Sequence, residues 1–238
     1  MSSNSMQDSS KSHVHDLFEN IAPKYDKMND IMSFRQHKTW RKKTMQLMDV
    51  KSGQTALDLC CGTCDWTIDL AKASGTGNIV GLDFSEQMLA VGKRKVAAAG
   101  LSDQIKLVQG NAMELPFADN SFDFVTIGFG LRNVPDYKQV VSEMLRVVKP
   151  GGKIVCLDMS KPQAQPFKSI YYFYFEKIVP LLGKAFAKQF AAYKWLPDSL
   201  QLFLDAKELK ALFEEAGSKN VYVKNFFFGI AALHIGQK

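Results

Sequence analysis

Two acids, Asp58 and Asp83, close two short apolar runs, Ala56-Leu57-Asp58-Leu59 and Asn78-Ile79-Val80-Gly81-Leu82-Asp83. The first run then crosses a loop of small residues, Cys60-Cys61-Gly62-Thr63-Cys64, and enters a helical pattern at Asp65-Trp66. A polar strand end feeding a helix start is how doubly wound α/β folds build a nucleotide pocket. At such a strand end Asp83 is expected to accept hydrogen bonds from ribose hydroxyls. No Gly-x-x-x-x-Gly-Lys phosphate cradle occurs in the chain. The expected ligand is a nucleoside without phosphates, and S-adenosylmethionine (S-adenosyl-L-methionine) fits that description.

The surrounding residue types extend this reading. Cys60, Gly62 and Cys64 occupy the three positions of a usual Gly-x-Gly-x-Gly loop, and Gly62 alone keeps a glycine's freedom for positive φ and close backbone approach. Thr63 offers a hydroxyl and a backbone N–H to the methionine part of the ligand. Asn111 and Ala112 follow the third apolar run, where an amide side chain meets an adenine edge. Phe84 and Met88 are placed to sandwich that ring, with helix core as their equal alternative. At the end of the fourth run stands Gly128-Phe129-Gly130-Leu131-Arg132-Asn133-Val134. A charge and an amide there point into the crevice where open α/β sheets bind ligands; a surface salt bridge is the alternative for Arg132. Asp58, Gly62 and Gly128 complete the expected cofactor set. Asn120-Ser121-Phe122-Asp123 reads as a turn and strand edge, with a structural role.

These groups need a frame of alternating strands and helices. Strands are predicted near 54–59, 78–83, 105–109, 122–128 and 152–158, with helices near 65–74, 85–99 and 136–148. Gly75, Gly100 and Pro150-Gly151-Gly152 mark the helix exits. This alternation predicts a mostly parallel sheet covered on both faces. A helix near 205–216 and strands near 219–226 and 229–236 bring the sheet to seven strands. Residues 1–12 read as a disordered tail and 13–238 as one domain. Within that domain, 13–50 form a helical lid, with Trp40, Thr44, Leu47 and Met48 turned inward. Residues 162–200 form a helical cap insertion after the fifth strand. The cap is rich in aromatics and carries five lysines (168, 177, 184, 188, 194) against Glu176.

Bulk composition sets the limits. At 238 residues, 46% hydrophobic and 23% charged, the chain suits one large globular domain. Net charge +6 and a pI of about 9.0 favour anionic partners without selecting one. Four cysteines crowd into strand ends and one loop, unlike a secreted disulfide framework. Cys61-x-x-Cys64 has no second pair or nearby His to complete a zinc set, so no metal is expected. No signal-peptide core and no 18-residue uncharged apolar run appear. A cytoplasmic protein is expected, at most peripheral at the inner face of the membrane.

Longer patterns carry a resemblance. Tyr25-Asp26-x-Met28-Asn29-x-x-Met32-Ser33-x-x-x-His37-x-x-Trp40 and Arg146-Val147-Val148-Lys149-Pro150-Gly151-Gly152-x-Ile154-x-x-Leu157-Asp158-x-Ser160 resemble the two signatures of the menaquinone/ubiquinone-biosynthesis C-methyltransferase family. Phe129-Gly130-Leu131-Arg132-Asn133 is also family-like, and the similarity spans about residues 13–238. Two positions depart from the pattern: Asp158 stands where the family usually has Glu, and Cys64 replaces a small loop residue, often Gly. The resemblance implies a Rossmann-like class I methyltransferase that moves a methyl group from S-adenosylmethionine to a ring carbon of a prenylated quinol.

For that chemistry the resemblance and the placement of side chains together nominate Arg132 to stabilise a phenolate and Asn133 to fix the ring hydroxyl. His37 and Tyr25 would close over the ring, with Asp26 and Asp158 as relays. Demethylmenaquinol, a prenylated naphthoquinol, is the favoured acceptor and a polyprenyl benzoquinol the alternative. The cap's aromatics and lysines suggest contact with an anionic membrane, and packing of the cap onto the sheet is their other use. A homodimer is a further possible partner state. Three competing functions stand beside this one: methylation of another small aromatic or lipid acceptor, a non-catalytic cofactor-binding scaffold in a quinone-synthesis assembly, and nucleic-acid modification. The last lacks an RNA-binding module or a dense basic stripe.

Overall fold

A computed structural model describes residue 16 and residues 18–178 and 199–238, without the side chains of Phe175 and Glu176. The Ser-rich start, Val14, Leu17 and the cap residues 179–198, with Lys184, Lys188 and Lys194, lie outside the described residues.

Seven strands form one sheet: β1 (Ala56–Leu59), β2 (Ile79–Asp83), β3 (Ile105–Gln109), β4 (Phe122–Gly128), β5 (Val148–Met159), β6 (Lys219–Phe226) and β7 (Ala231–Gln237). Their order is β3-β2-β1-β4-β5-β7-β6. The first five run parallel, and β7 pairs antiparallel with both β5 and β6. Strand order reverses between β1 and β4, so the crevice for a ligand opens above their carboxyl ends.

Helices cover both faces. They are α1 (Tyr25–Met32), α2 (Gln36–Met48), α3 (Asp65–Ser74), α4 (Glu86–Ala98), α5 (Tyr137–Val147), α6 (Phe167–Phe173) and α7 (Ala206–Glu215). Strand side chains alternate between faces, and the core divides accordingly. Leu57, Leu59, Val125 and Ile127 pack against α5 and α7 through Val141, Met144 and Phe213. Ala56, Ile79, Phe124 and Val155 pack against α2 and α3 through Met48, Trp66 and Leu70. Helix starts are capped by side chains: Ser85 accepts from the Met88 amide, Asp136 from the Gln139 amide, and Asp205 with Glu208 forms a reciprocal capping box.

Three local expectations change. The helix expected over 136–148 stops at Val147, and β5 starts at once at Val148 rather than at 152. Pro150-Gly151-Gly152 therefore sits inside the strand, at a register shift between the pairs Phe122↔Val148 and Phe124↔Lys153. Residues 25–32, which carried no assigned element, form α1 directly after a 3-10 turn that holds Pro23; a proline is tolerated at such a helical start. Leu47 is half-buried, while Trp40, Thr44 and Met48 are buried. α1 and the residues before it join the rest of the molecule through a separate cluster of Ile21, Met28, Met88, Tyr171 and Leu200.

Candidate active site

The loop after β1 takes its shape from its backbone. Cys60, Gly62 and Cys64 all adopt left-handed φ, at 50°, 53° and 67°. The sequence offered that freedom to Gly62 alone, and the two cysteines accept the strain that glycine avoids. The Gly62 amide donates to Asp83 Oδ2 at 2.8 Å and the Ser85 amide donates to Asp83 Oδ1 at 2.9 Å. Burial pushes the Asp83 carboxyl up to about 6 against the pull of these amides. Asp83 thus fixes the loop to α4 and still has lone pairs for a ligand.

A cavity of about 620 Å³ opens over this point, lined by Asp83, Phe84, Met88, Asn111, Ala112 and Gly128 among others. Six of the nine residues expected to hold the cofactor are these, and Gly62 is a seventh. Asn111 uses its Oδ1 to accept from the Met113 amide at 3.0 Å, which fixes its amide plane. Phe84 meets Phe18 edge to face. Gly128 has a packing role as well, since a Cβ there would stand 2.6 Å from the Trp66 ring.

Asp58 and Thr63 do not line this cavity. Asp58 accepts from the Thr67 and Thr126 hydroxyls at 2.7 and 2.8 Å, deep below the loop, and burial pushes its carboxyl up to about 6. The Thr63 hydroxyl turns to α1, donating to Asp26 Oδ1 at 2.6 Å and accepting from Lys95 Nζ at 3.1 Å. Both residues border a small space of about 70 Å³ beside the loop, with His37 and Arg41.

A second cavity, about 470 Å³, lies under α1 and α2 and against α6. Its wall is chiefly apolar, including Met28, Trp40, Met159 and Tyr171, with His37 and Asn29 as polar members. Five residues line both cavities: Phe18, Tyr25, Phe129, Arg132 and Asn133. Three of the four expected catalytic residues stand in this shared wall, and His37 stands in the second chamber.

Arg132 is held firmly. Its Nη1 donates to Asp158 Oδ1 and to the Phe129 carbonyl, each at 2.7 Å, and its amide donates to Asp158 Oδ2 at 3.3 Å. The pair is buried, with side chains 11% and 2% exposed, so the surface-bridge reading of Arg132 fails. Its Nε is buried without a partner among the described residues. Asp158, despite its short side chain, reaches its partner. Asn133 donates to the Phe129 carbonyl at 3.3 Å. Burial raises the Tyr25 hydroxyl and lowers the His37 imidazole, so both stay neutral near pH 7. His37 Nδ1 lies 2.6 Å from Ser33 Oγ.

Sequence reasoning missed the network that ties α1 and α2 down. Lys95 on α4 bridges Asp26, Asp65 and Thr63, and Arg41 reaches Asp69 at 2.7 Å and Asp65 at 3.4 Å. Lys95 and Asp26 are 69 positions apart, so no local pattern announces the pair. Cys61 and Cys64 face each other at 3.9 Å, and no group of three or more His, Cys, Asp or Glu placed to hold a metal occurs among the described residues.

Solved structures that share the fold include a methyltransferase of Thermotoga maritima described as a possible histamine N-methyltransferase. It has a TM-score of 0.67 at 18% identity, covering 93% of this chain and 98% of that one. An S-adenosylmethionine-dependent methyltransferase of Aquifex aeolicus has a TM-score of 0.60 at 20% identity, covering 83% and 88%. The fold is that of the Rossmann-like class I methyltransferases. Among similar sequences, demethylmenaquinone methyltransferases of Bacillus mycoides and Bacillus cytotoxicus are 60% and 58% identical, each over 98% of both chains. The ubiE/COQ5 methyltransferase family model matches residues 6–238, beginning before the stretch where the motifs first show. The chain belongs to the ubiE/COQ5 methyltransferase family.

Proposed function

We propose that this chain transfers the methyl group of S-adenosylmethionine to a ring carbon of demethylmenaquinol, yielding menaquinol. The observation that carries the reading is the wall shared by a nucleoside-sized crevice, with Asp83 and Asn111 among its polar groups, and a second chamber that is more apolar still. A methyl group has to pass from one ligand to the other, and both cavities meet at Tyr25, Arg132 and Asn133. The names of the Bacillus relatives supply the acceptor.

The first cavity suits the cofactor. Asp83 serves as acceptor for ribose hydroxyls, Asn111 and Ala112 meet the adenine edge, and Phe18, Phe84 and Met88 offer it apolar faces. The bound cofactor supplies a methyl carbon made electrophilic by its sulfonium. The protein's task is to align the acceptor and to raise electron density on its ring. In this reading the N-terminal helices are the lid. They exclude water from the chamber and are held down by Asp26, which meets Thr63 of the cofactor loop and Lys95, and by Arg41, which pairs with Asp65 and Asp69 of α3.

Arg132 faces the acceptor oxygen and stabilises it as a phenolate, while Asn133 and Tyr25 orient the ring. His37 takes the hydroxyl proton, being kept neutral by burial. The ring carbon beside the ionised oxygen bonds to the methyl carbon as the carbon–sulfur bond breaks, its electron pair staying on sulfur to leave a neutral thioether. The ring carbon then gives its proton to solvent, restoring the aromatic ring, and His37 returns its own proton to the oxygen. His37→Gln is expected to lower kcat about 10²-fold, the low end of general-base effects, because the ionised ring already has a strong electrophile to meet. It should also remove the fall in rate at acid pH, measured as a pH–rate profile. An unchanged acid limb would exclude His37 as the base.

The deciding assay offers labelled S-adenosylmethionine with reduced demethylmenaquinone beside a polyprenyl benzoquinol, with product mass as readout. Methylated naphthoquinol is expected. Exclusive methylation of the benzoquinol would reassign the acceptor, and no transfer to either would return the scaffold reading. No helix among the described residues is long and apolar enough to cross a membrane.

A further inference from the structure

Exposed apolar surface gathers at the outer end of the chamber under α1 and α2. Phe34, 74% exposed, Phe227, 59% exposed, and Ile170 all line the chamber and all face solvent. They come from three separate stretches: the α1–α2 turn, the β6–β7 turn and α6. Phe228, exposed as well, stacks on Phe167 of α6 with ring centroids 3.8 Å apart. The Phe34 ring lies 6.2 Å from that of Tyr174, just past α6. Phe173 lies three residues beyond Ile170 on α6, hence on a neighbouring face, and is exposed too.

Both turns are strained in presenting these rings. Phe34 and Arg35 hold φ of 48° and 61°, and Phe227 and Phe228 hold 42° and 57°. Bulky residues rarely adopt this left-handed region, and glycine would do so without strain. The chain thus accepts backbone strain to expose aromatic side chains, a combination that marks a contact surface rather than a core. Arg35 and Lys168 lie on these elements and Lys177 in the turn just past α6; all three are exposed and make the rim cationic.

The occupant follows from the chamber's size. About 470 Å³ is room for a ring system, and the polyprenyl tail of the acceptor proposed above must leave by this open end. We propose that the rim docks on a bilayer with anionic headgroups and is the port through which the acceptor's tail reaches the chamber. Aromatic rings at the interface with lysine and arginine at headgroup level match that surface. The tail's passage rests on the quinol reading, whereas docking does not.

The test uses the full chain with phosphatidylglycerol-containing vesicles, pure phosphatidylcholine vesicles, and two variants, F173S/F228S and K168E. None of these residues lines either cavity. The unaltered chain is expected to float with anionic vesicles and to detach as salt rises. F173S/F228S should cut the bound fraction at least fivefold, and K168E at least twofold on anionic vesicles. Both variants should methylate a short-tailed acceptor in solution at the normal rate and lose activity on a long-tailed acceptor in vesicles in step with binding. No flotation of the unaltered chain, or equal flotation of the variants, overturns the port. Loss of a dimer in sedimentation velocity with vesicle binding unchanged also overturns it, assigning the rim to a second copy. Failure of the unaltered chain on the short-tailed acceptor sinks the quinol reading instead and leaves the vesicle result standing.

Discussion

Arg132→Lys is expected to lower kcat by about 10²-fold while S-adenosylmethionine affinity changes little, as for removal of one preorganised donor aimed at developing negative charge. The choice of lysine matters. Asp158 is 2% exposed, and Arg132 is its counter-charge. Arg132→Ala would leave a buried carboxylate unpaired at a cost of about 3–5 kcal/mol, a large share of a domain's stability. An inactive Arg132→Ala protein would then say nothing about chemistry. Lysine keeps one charge for Asp158 but lacks the planar fork that serves Asp158, the Phe129 carbonyl and the chamber together. A second variant, Arg132→Met with Asp158→Asn, removes both charges and restores neutrality. It should melt near the parent and lose about 10²–10³-fold in kcat, the range for losing an oxyanion donor. Single-turnover rates with calorimetric cofactor affinity separate these effects. Normal turnover in both variants would show that the guanidinium does not touch the reacting ring.

The frame of this site was readable because period and punctuation are local. The runs that end at Asp58 and Asp83, the helix starts at Ser85 and Asp205 and the helix exits at Gly75 and Gly100 announce themselves within a few residues. The boundary at Val148 was not readable, because Pro150-Gly151-Gly152 has the composition of a turn whether it ends a helix or kinks a strand. The site divided along the same line. Asp83, Asn111, Phe84 and Met88 come together because strand tips converge by topology. Thr63 was expected to face the ligand, yet its hydroxyl is held by Asp26 and Lys95, partners supplied by α1 and α4. Lys95 itself carried no signal, since its meaning lies wholly in groups far off in the chain. The rim aromatics Phe227 and Phe228 were hidden for another reason. They fall in the gap between the strands predicted at 219–226 and 229–236, and only their backbone conformation and exposure show what they present.

Asp83→Asn is the second large effect expected, an increase of about 10²-fold or more in the dissociation constant for S-adenosylmethionine, since hydrogen bonds to a charged acceptor are worth about 1.5–3 kcal/mol each. The same change should alter the stability of the free protein far less. With its carboxyl raised from 3.8 to about 6, the folded state binds the proton more tightly than the unfolded one. Stability from this group is present at low pH and declines as pH rises from about 4 to 6, so ionised Asp83 costs up to about 3 kcal/mol at neutrality. Asparagine removes that cost but can accept from only one of the Gly62 and Ser85 amides with its oxygen, and the two changes offset. A ribose acceptor that must be charged also gives a sign for pH. Cofactor affinity should be flat above about pH 7 and weaken as pH falls through about 6, approaching tenfold per unit as one proton competes with the ligand. Calorimetry from pH 5 to 8 should show this slope in the parent and its loss in Asp83→Asn. A parent affinity independent of pH, or a variant that binds normally, would mean that Asp83 serves only to hold the loop to α4.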